Sequence, residues 1–231
     1  VEVLLRDAHG RVQGRYEEGR NDKAPVSGKN LTLSIDMELQ AYGELLMHNK
    51  VGSIVMIEPE TGEILCMVSA PTYDPALLTG KSFSTNYRSL ENNPYKPLIN
   101  RAIAGTYPPG STFKPTQGLI FLQEGIITPE SRYACFGGYP PLGGRPACHG
   151  HASPLAIQYG LNGMLGNRSK YPSTGAAFDI WRDHMVKMGF GYPLGVDLPS
   201  EKRGFIPNSK FYSNVFKTER WNAHNIISIA I

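Results

Sequence analysis

The chain has 231 residues, of which 41% are hydrophobic and 19% charged, and its net charge is +3. That is enough apolar material for one large domain or two small ones with a real core, and the basic residues are scattered instead of forming a stripe, which argues against nucleic acid as a partner. No apolar run reaches the roughly 18 to 20 residues that span a bilayer, and the first residues lack the basic segment and apolar core of a signal peptide.

Residues 1–5 alternate weakly and are expected as a strand remnant, leading into a polar linker over residues 11–29. Residues 31–35 alternate as a strand would, and Asp36 stands where an N-cap would precede the helical pattern Leu39, Tyr42, Leu45, Leu46. Two β-rich runs, 52–57 and 63–68, are joined by a Pro-Glu-Thr-Gly turn in which Gly62 suits a positive φ, so a hairpin is expected. Residues 71–104 form a long connection with a short helix near Leu77 or Tyr87; loops of that length in a compact domain usually carry function. Tyr107-Pro108-Pro109-Gly110 turns the chain sharply, and an apolar periodic segment over 113–123 follows and stops at Gly125, which puts Ser111 at the mouth of a helix. Beyond a Gly- and Pro-rich stretch come a short apolar segment over 155–165, a helix over about 175–188 stopped by Gly189 and Gly191, and a strand-like apolar run over 222–231 with no turn signal after it.

Ser111-Thr112-Phe113-Lys114 is the candidate for chemistry. A spacing of three puts hydroxyl and amine on one face of the first helical turn, where a neutral lysine could accept the serine proton. The free amides and positive dipole end of the helix favour negative charge developing there. The same tetrapeptide also describes a plain N-cap with a solvated lysine, so the four residues do not decide alone.

Their setting resembles a family along nearly the whole chain. Residues 31–40 (LTLSIDMELQ), 52–75 (GSIVMIEPETGEILCMVSAPTYDP), 100–115 (NRAIAGTYPPGSTFKP) and 188–207 (MGFGYPLGVDLPSEKRGFIP) are similar to the class B penicillin-binding proteins, especially the elongation-type penicillin-binding protein 2 branch. The resemblance implies an α/β (α+β) fold of the penicillin-binding-protein/β-lactamase-like serine transferase type, an antiparallel sheet with helices on both faces, incomplete at the C-terminus. Residues 1–27 would end a non-catalytic pedestal region and linker, and 28–231 would be the transpeptidase domain, cut before its Lys-Thr-Gly strand. The implied activity is that of a peptidoglycan D,D-transpeptidase, acylated at Ser111 with Lys114 as base and blocked by β-lactams. Implied partners are stem peptides ending in D-Ala-D-Ala, a membrane-bound glycosyltransferase and morphogenesis proteins. The implied place is the periplasmic face of the bacterial cytoplasmic membrane, with an anchor upstream of this chain.

The chain departs from that pattern in two places. Where the family has its Ser-x-Asn signature, this chain reads Gly160-Leu161-Asn162: Asn162 is the candidate partner of Ser111 in catalysis and substrate binding, but glycine holds the serine position. Losing a serine that relays a proton should slow acylation about 10²- to 10⁴-fold; residues missing from the sequence between His151 and Gly160 would give the same appearance. The Lys-Thr-Gly signature is absent, and Lys217-Thr218-Glu219 imitates it as a solvated loop.

Cys135, Cys148, His149 and His151 fall within 17 residues of a Gly-Pro loop. The spacing fits a structural zinc ion, and some relatives are similar there; a Cys135–Cys148 disulfide or two free thiols are the other readings. No cofactor is needed for the chemistry. Cys66 is expected in the core, Asp74 to fix a turn, Asn100 and Arg101 to hold the loop before Ser111, and His9, His48, His184 and His224 to be surface or satisfied core histidines. The rival functions are a D,D-carboxypeptidase or β-lactamase of the same fold, and a β-lactam sensor or inactive scaffold.

Overall fold

The computed structural model describes residues 1–134, 136–144, 147 and 153–230, with 153–156 and 230 described by backbone alone. Strands β1 (Leu4–Arg6) and β2 (Val12–Arg15) pair antiparallel, Leu4 opposite Arg15. The turn between them is closed by Asp7, whose Oδ1 accepts the His9 and Arg11 amides, each at 2.9 Å, while Gly10 takes a φ of +79°. A linker was expected from residue 11; the Asp-Ala-His-Gly turn instead folds its start back as β2, and the linker begins only after the hairpin closes at Lys23, whose amide donates to the Val1 carbonyl at 2.9 Å.

Residues 31–35 form no strand among the described residues, although a strand was expected. Two hydrogen bonds tie this segment to the next hairpin, Ser34 Oγ to the Ile64 carbonyl at 2.8 Å and the Asp36 amide to the Leu65 carbonyl at 2.9 Å, and they do not make a ladder. Helix α1 (Met37–Leu46) begins as expected: the Asp36 carboxylate accepts the Leu39 amide at 2.9 Å.

Strands β3 (Gly52–Ile57) and β4 (Ile64–Ala70) form the expected hairpin, running in register from Gly52 opposite Ala70 to Met56 opposite Cys66, with Gly62 at φ +79° in the turn. Cys66, Val68 and Ala70 alternate onto one face and are buried. A Cβ on Gly43 of α1 would stand 3.0 Å from both Cys66 Sγ and Val68 Cγ2, so the bare backbone lets α1 lie close against this face. The opposite face meets α3 (Arg101–Ala104), where Ser69 Oγ accepts the Arg101 amide at 2.9 Å and donates to the Ile99 carbonyl at 3.0 Å. Helices therefore flank both faces of an antiparallel sheet, as expected, and the sheet has two strands among the described residues. The long connection was expected to hold one short helix, near Leu77 or Tyr87, and has an element at each place: a 3-10 turn, Pro75–Leu78, whose first amides are capped by Asp74 (Ala76 amide to Oδ1, 2.9 Å), and α2 (Phe83–Asn92).

The main core belongs to the second half of the chain. A 3-10 turn (Gly110–Phe113) leads into α4 (Lys114–Gln123); α5 (Ser153–Gly166), α6 (Thr174–Lys187, N-capped by Ser173) and α7 (Ser209–Phe216) follow. Phe121, Leu161, Met164, Phe178 and Trp181 are fully enclosed between α4, α5 and α6. Glu124, just past α4, clamps the far end of this bundle: its Oε2 accepts Tyr171 OH at 2.5 Å and faces Lys170 Nζ at 2.7 Å, and its Oε1 meets His184 Nε2 at 2.7 Å. His184 is thus the satisfied histidine expected.

The strand expected over 222–231 is corrected. Residues Ala223–Ala230 form a 3-10 helix, and Ala223, Ile226 and Ile227 are the buried positions. That spacing of three and one is helical, and it packs the run onto α5 in the core cluster, where a strand would have turned adjacent isoleucines to opposite sides. Among the described residues no helix is long and apolar enough to cross a membrane.

Candidate active site

The turn that carries Ser111 is built for a tight approach to its helix. Gly110 adopts φ +58°, a conformation that glycine takes without strain, and the chain then winds as a 3-10 turn, closed by the Lys114 amide on the Ser111 carbonyl. Three residues per 3-10 turn eclipse positions i and i+3, so Ser111 and Lys114 stack along one edge more directly than in an ideal α-helix. Between them, Phe113 is buried and edge-on to Trp181 (6.5 Å between centroids) and Phe190 (5.3 Å), which pins the turn to the core while Ser111 stays exposed and Lys114 half-buried. Thr112 Oγ1 donates to the Pro109 carbonyl at 2.5 Å and holds the preceding turn. Among the described residues neither the Ser111 hydroxyl nor the Lys114 amine has a hydrogen-bonded partner; catalytic contacts without substrate are commonly loose.

A groove of about 730 Å³ opens beside this turn. One wall is Tyr107, Pro108, Pro109 and Gly110; the other is aromatic, from Phe190, Phe205, Phe211 and Tyr212, and Ser228 and Ile229 close it. Its lining comes from five separate stretches of sequence, which is why no local motif announces it.

The second candidate motif lies elsewhere. Helix α5 runs alongside α4 in the same direction, with Ile157 facing Gly118, Gly160 facing Phe121 and Gly163 facing Ile126. A Cβ on Gly160 would stand 2.8 Å from Phe121 Cε2 and 2.9 Å from Cγ, and nearer still to Cδ2. Glycine at 160 is therefore the residue that lets the two helices touch, and a serine side chain has no room there. Phe121 is ten positions beyond Ser111, about 15 Å along the helix at 1.5 Å per residue. Asn162 follows Gly160 by two residues, about 200° round α5, and so lies on the side turned away from α4. Ser111 and Lys114 therefore share the turn at the mouth of α4, and Asn162 stands on α5 two residues past Gly160.

Lys217 ends α7 at φ +53°, and Thr218 Oγ1 accepts the Arg220 amide at 3.1 Å, so Lys217-Thr218-Glu219 is a loop, as expected. Arg101 donates to the carbonyls of Lys96 (3.1 Å) and Tyr95 (2.5 Å), fixing the segment ahead of the serine turn. Cys66 is buried in β4. The candidate zinc set, Cys135, Cys148, His149 and His151, lies outside the described residues; among the described residues no group of three or more His, Cys, Asp or Glu is placed to hold a metal ion. Sequence reasoning passed over Gln117, one turn below Lys114, fully buried in α4; an amide within an otherwise apolar helical face was the available signal.

Comparison with known proteins gives this geometry a context. The family described as "Penicillin binding protein transpeptidase domain" matches residues 52–219. Peptidoglycan D,D-transpeptidase MrdA of Acinetobacter baumannii is 34% identical over 242 residues, covering 100% of this chain and 34% of the relative. Among solved structures, Pseudomonas aeruginosa PBP2 in complex with WCK 5153 superposes with a TM-score of 0.70 at 29% identity, over 90% of this chain and 48% of that one. The penicillin G acyl-enzyme complex of penicillin-binding protein A from M. tuberculosis does so with a TM-score of 0.60 at 28% identity, over 86% and 47%. The chain spans about a third of the length of the curated relatives it matches, 34% and 35% for the first two.

Proposed function

The chain belongs to the penicillin-binding protein transpeptidase family, and from that premise we propose that it is the nucleophile-bearing part of a bacterial peptidoglycan D,D-transpeptidase. The observation that carries this reading is the Ser111–Lys114 pair, stacked on one 3-10 turn at the mouth of α4 and anchored through Phe113.

In the proposed reaction Lys114, in its neutral form, takes the proton from Ser111 Oγ, which attacks the carbonyl of the penultimate D-Ala. The Ser111 amide, at the free N-terminal end of the helix, faces the oxyanion that forms. The peptide C–N bond then breaks, the nitrogen of the terminal D-Ala takes up a proton as it leaves, and the peptide remains esterified to Ser111. An amine from a second stem peptide attacks the ester, forms the new amide and returns Ser111 to its hydroxyl. A β-lactam acylates the same oxygen, but its opened ring stays attached, so the leaving group never departs. The acyl-enzyme of the M. tuberculosis relative supports this part of the reading. A membrane-bound glycosyltransferase and morphogenesis proteins are the proposed partners, at the periplasmic face of the cytoplasmic membrane. The loop holding Cys135, Cys148, His149 and His151 is proposed to carry one structural zinc ion, supported by the spacing of those residues; metal analysis of wild type and Cys148→Ser tests it, and a mass two hydrogens below the reduced chain would mean a disulfide instead.

The test is intact-mass spectrometry of the full-length protein after incubation with a fluorescent penicillin. One adduct that maps to Ser111 is expected, absent in Ser111→Ala and formed about 10²- to 10⁴-fold more slowly in Lys114→Met. No adduct on folded protein would overturn the reading. The tight packing at Gly160 favours one alternative, a protein that is acylated without cross-linking. Product analysis with paired stem peptides separates the two, since only the transpeptidase forms the dimer.

A further inference from the structure

Gln117 is a polar residue that the fold only half explains. It lies on α4 with no exposed surface, inside the cluster formed by Ile120, Phe121 and Ile157. Burying an amide is unfavourable unless its hydrogen bonds are met. Here only half are accounted for: Nε2 donates to the Ile229 carbonyl at 2.7 Å, while Oε1 is buried with no partner among the described residues. Such an acceptor, enclosed and unmatched, calls for an explanation, and a part in catalysis is one of the few available.

Its place in the helix gives the acceptor a use. Gln117 follows Lys114 by three residues, as Lys114 follows Ser111, so the three side chains succeed one another along one edge of the nucleophile helix. Helical side chains lean towards the N-terminus, so Gln117 leans towards Lys114, and Lys114 towards Ser111. On the other side, Nε2 is fixed to the segment that also closes the groove beside the serine turn, through Ser228 and Ile229.

Resting on the reading of Ser111 and Lys114 given above, we propose that Gln117 is a positioning residue: anchored through Nε2 to Ile229, it offers Oε1 to the Lys114 amine and so directs the amine's lone pair at the Ser111 hydroxyl. A neutral amide suits the task, because it orients an N–H without adding the negative charge that would hold the lysine protonated. A glutamate would orient it equally well and keep it charged.

The experiment measures the second-order rate of acylation by a fluorescent penicillin against pH, in the full-length protein, for wild type, Gln117→Met and Gln117→Glu, with thermal unfolding in parallel. Methionine fills the same space without polar atoms. The expected result is a rate about 10- to 100-fold lower for Q117M with thermal stability at or above wild type. For Q117E the rising limb of the pH profile should move about one unit to higher pH, with much of the wild-type rate recovered above it. A purely structural amide would move stability and leave the profile where it was. Unchanged rates and profiles in both variants, with wild type acylated at Ser111, would overturn this inference alone; a wild type that takes no penicillin would overturn it together with the reading beneath it.

Discussion

Gly160→Ser tests whether the departure from the second signature is a lost catalytic group or a packing requirement. The new Cβ would meet the ring of Phe121 at 2.8 Å and 2.9 Å, inside the distance real Cβ atoms keep, and Phe121 is itself fully buried. Overpacking of this kind costs about 1–3 kcal/mol, and a hydroxyl enclosed against a ring without a partner costs about 1–3 kcal/mol more. The better helix propensity of serine over glycine returns about 0.5 kcal/mol. A net loss of about 1.5–5.5 kcal/mol is expected, which in a chain of this size lowers Tm by about 3–20 °C. Gly160→Ala meets the same ring but gains about 1 kcal/mol of propensity and buries no hydroxyl, so stability should fall in the order wild type, G160A, G160S. Thermal unfolding followed by circular dichroism gives that order, and the penicillin acylation rate is read on the same samples. A G160S protein as stable as wild type would refute the close approach of α5 to α4; one acylated faster than wild type would show that Gly160 is the vacated place of a proton relay.

The Glu124 clamp predicts a pH dependence. Burial alone pushes its carboxyl up, but the hydrogen bonds from Lys170, Tyr171 and His184 outweigh burial and hold it at about 2, against 4.5 ordinarily. A carboxyl whose folded value is depressed contributes stability that is complete above about pH 4.5 and lost as the pH falls towards 2. Glu124→Gln should cost about 1–3 kcal/mol at pH 7 and flatten the stability profile across that window, measured by urea unfolding at stepped pH; an unchanged profile would mean the clamp is not formed in solution. Asp36→Ala should remove about 1 kcal/mol by uncapping α1, seen as a lower urea midpoint at constant slope, and Asp36→Asn should keep most of it. Gly43→Val would press two further methyls towards Cys66 and Val68 and is expected to cost about 1–3 kcal/mol from overpacking, of which the better helix propensity of valine over glycine returns only a few tenths; a stable G43V would show that α1 does not sit against β4.

Much of the local structure was legible because its causes are local. Asp36, Asp74 and the glycine at 62 each act within three or four residues, so cap, turn and hairpin follow from short strings of sequence. The same holds for the serine turn, where Pro109, Gly110 and the three-residue step from Ser111 to Lys114 set the geometry before any packing is considered. The β1–β2 hairpin was equally local, but its second strand was read as part of a linker. The misread run over 222–231 had a different cause: isoleucines and small residues serve a strand or a helical turn alike, and the contact with α5 chose between them.

The sequence by itself determined the family, the nucleophile candidate and its base, because these rest on adjacent residues whose chemistry does not depend on where the rest of the chain goes. Only the tertiary structure decided what glycine does at 160, where Asn162 lies, that Gln117 is buried with an acceptor unmatched among the described residues, and which five stretches form the groove beside the serine turn. Each of those depends on which face of one helix meets which face of another. Helix rotation and register are set by the sum of many contacts between residues far apart in sequence, and no short string of letters contains that sum.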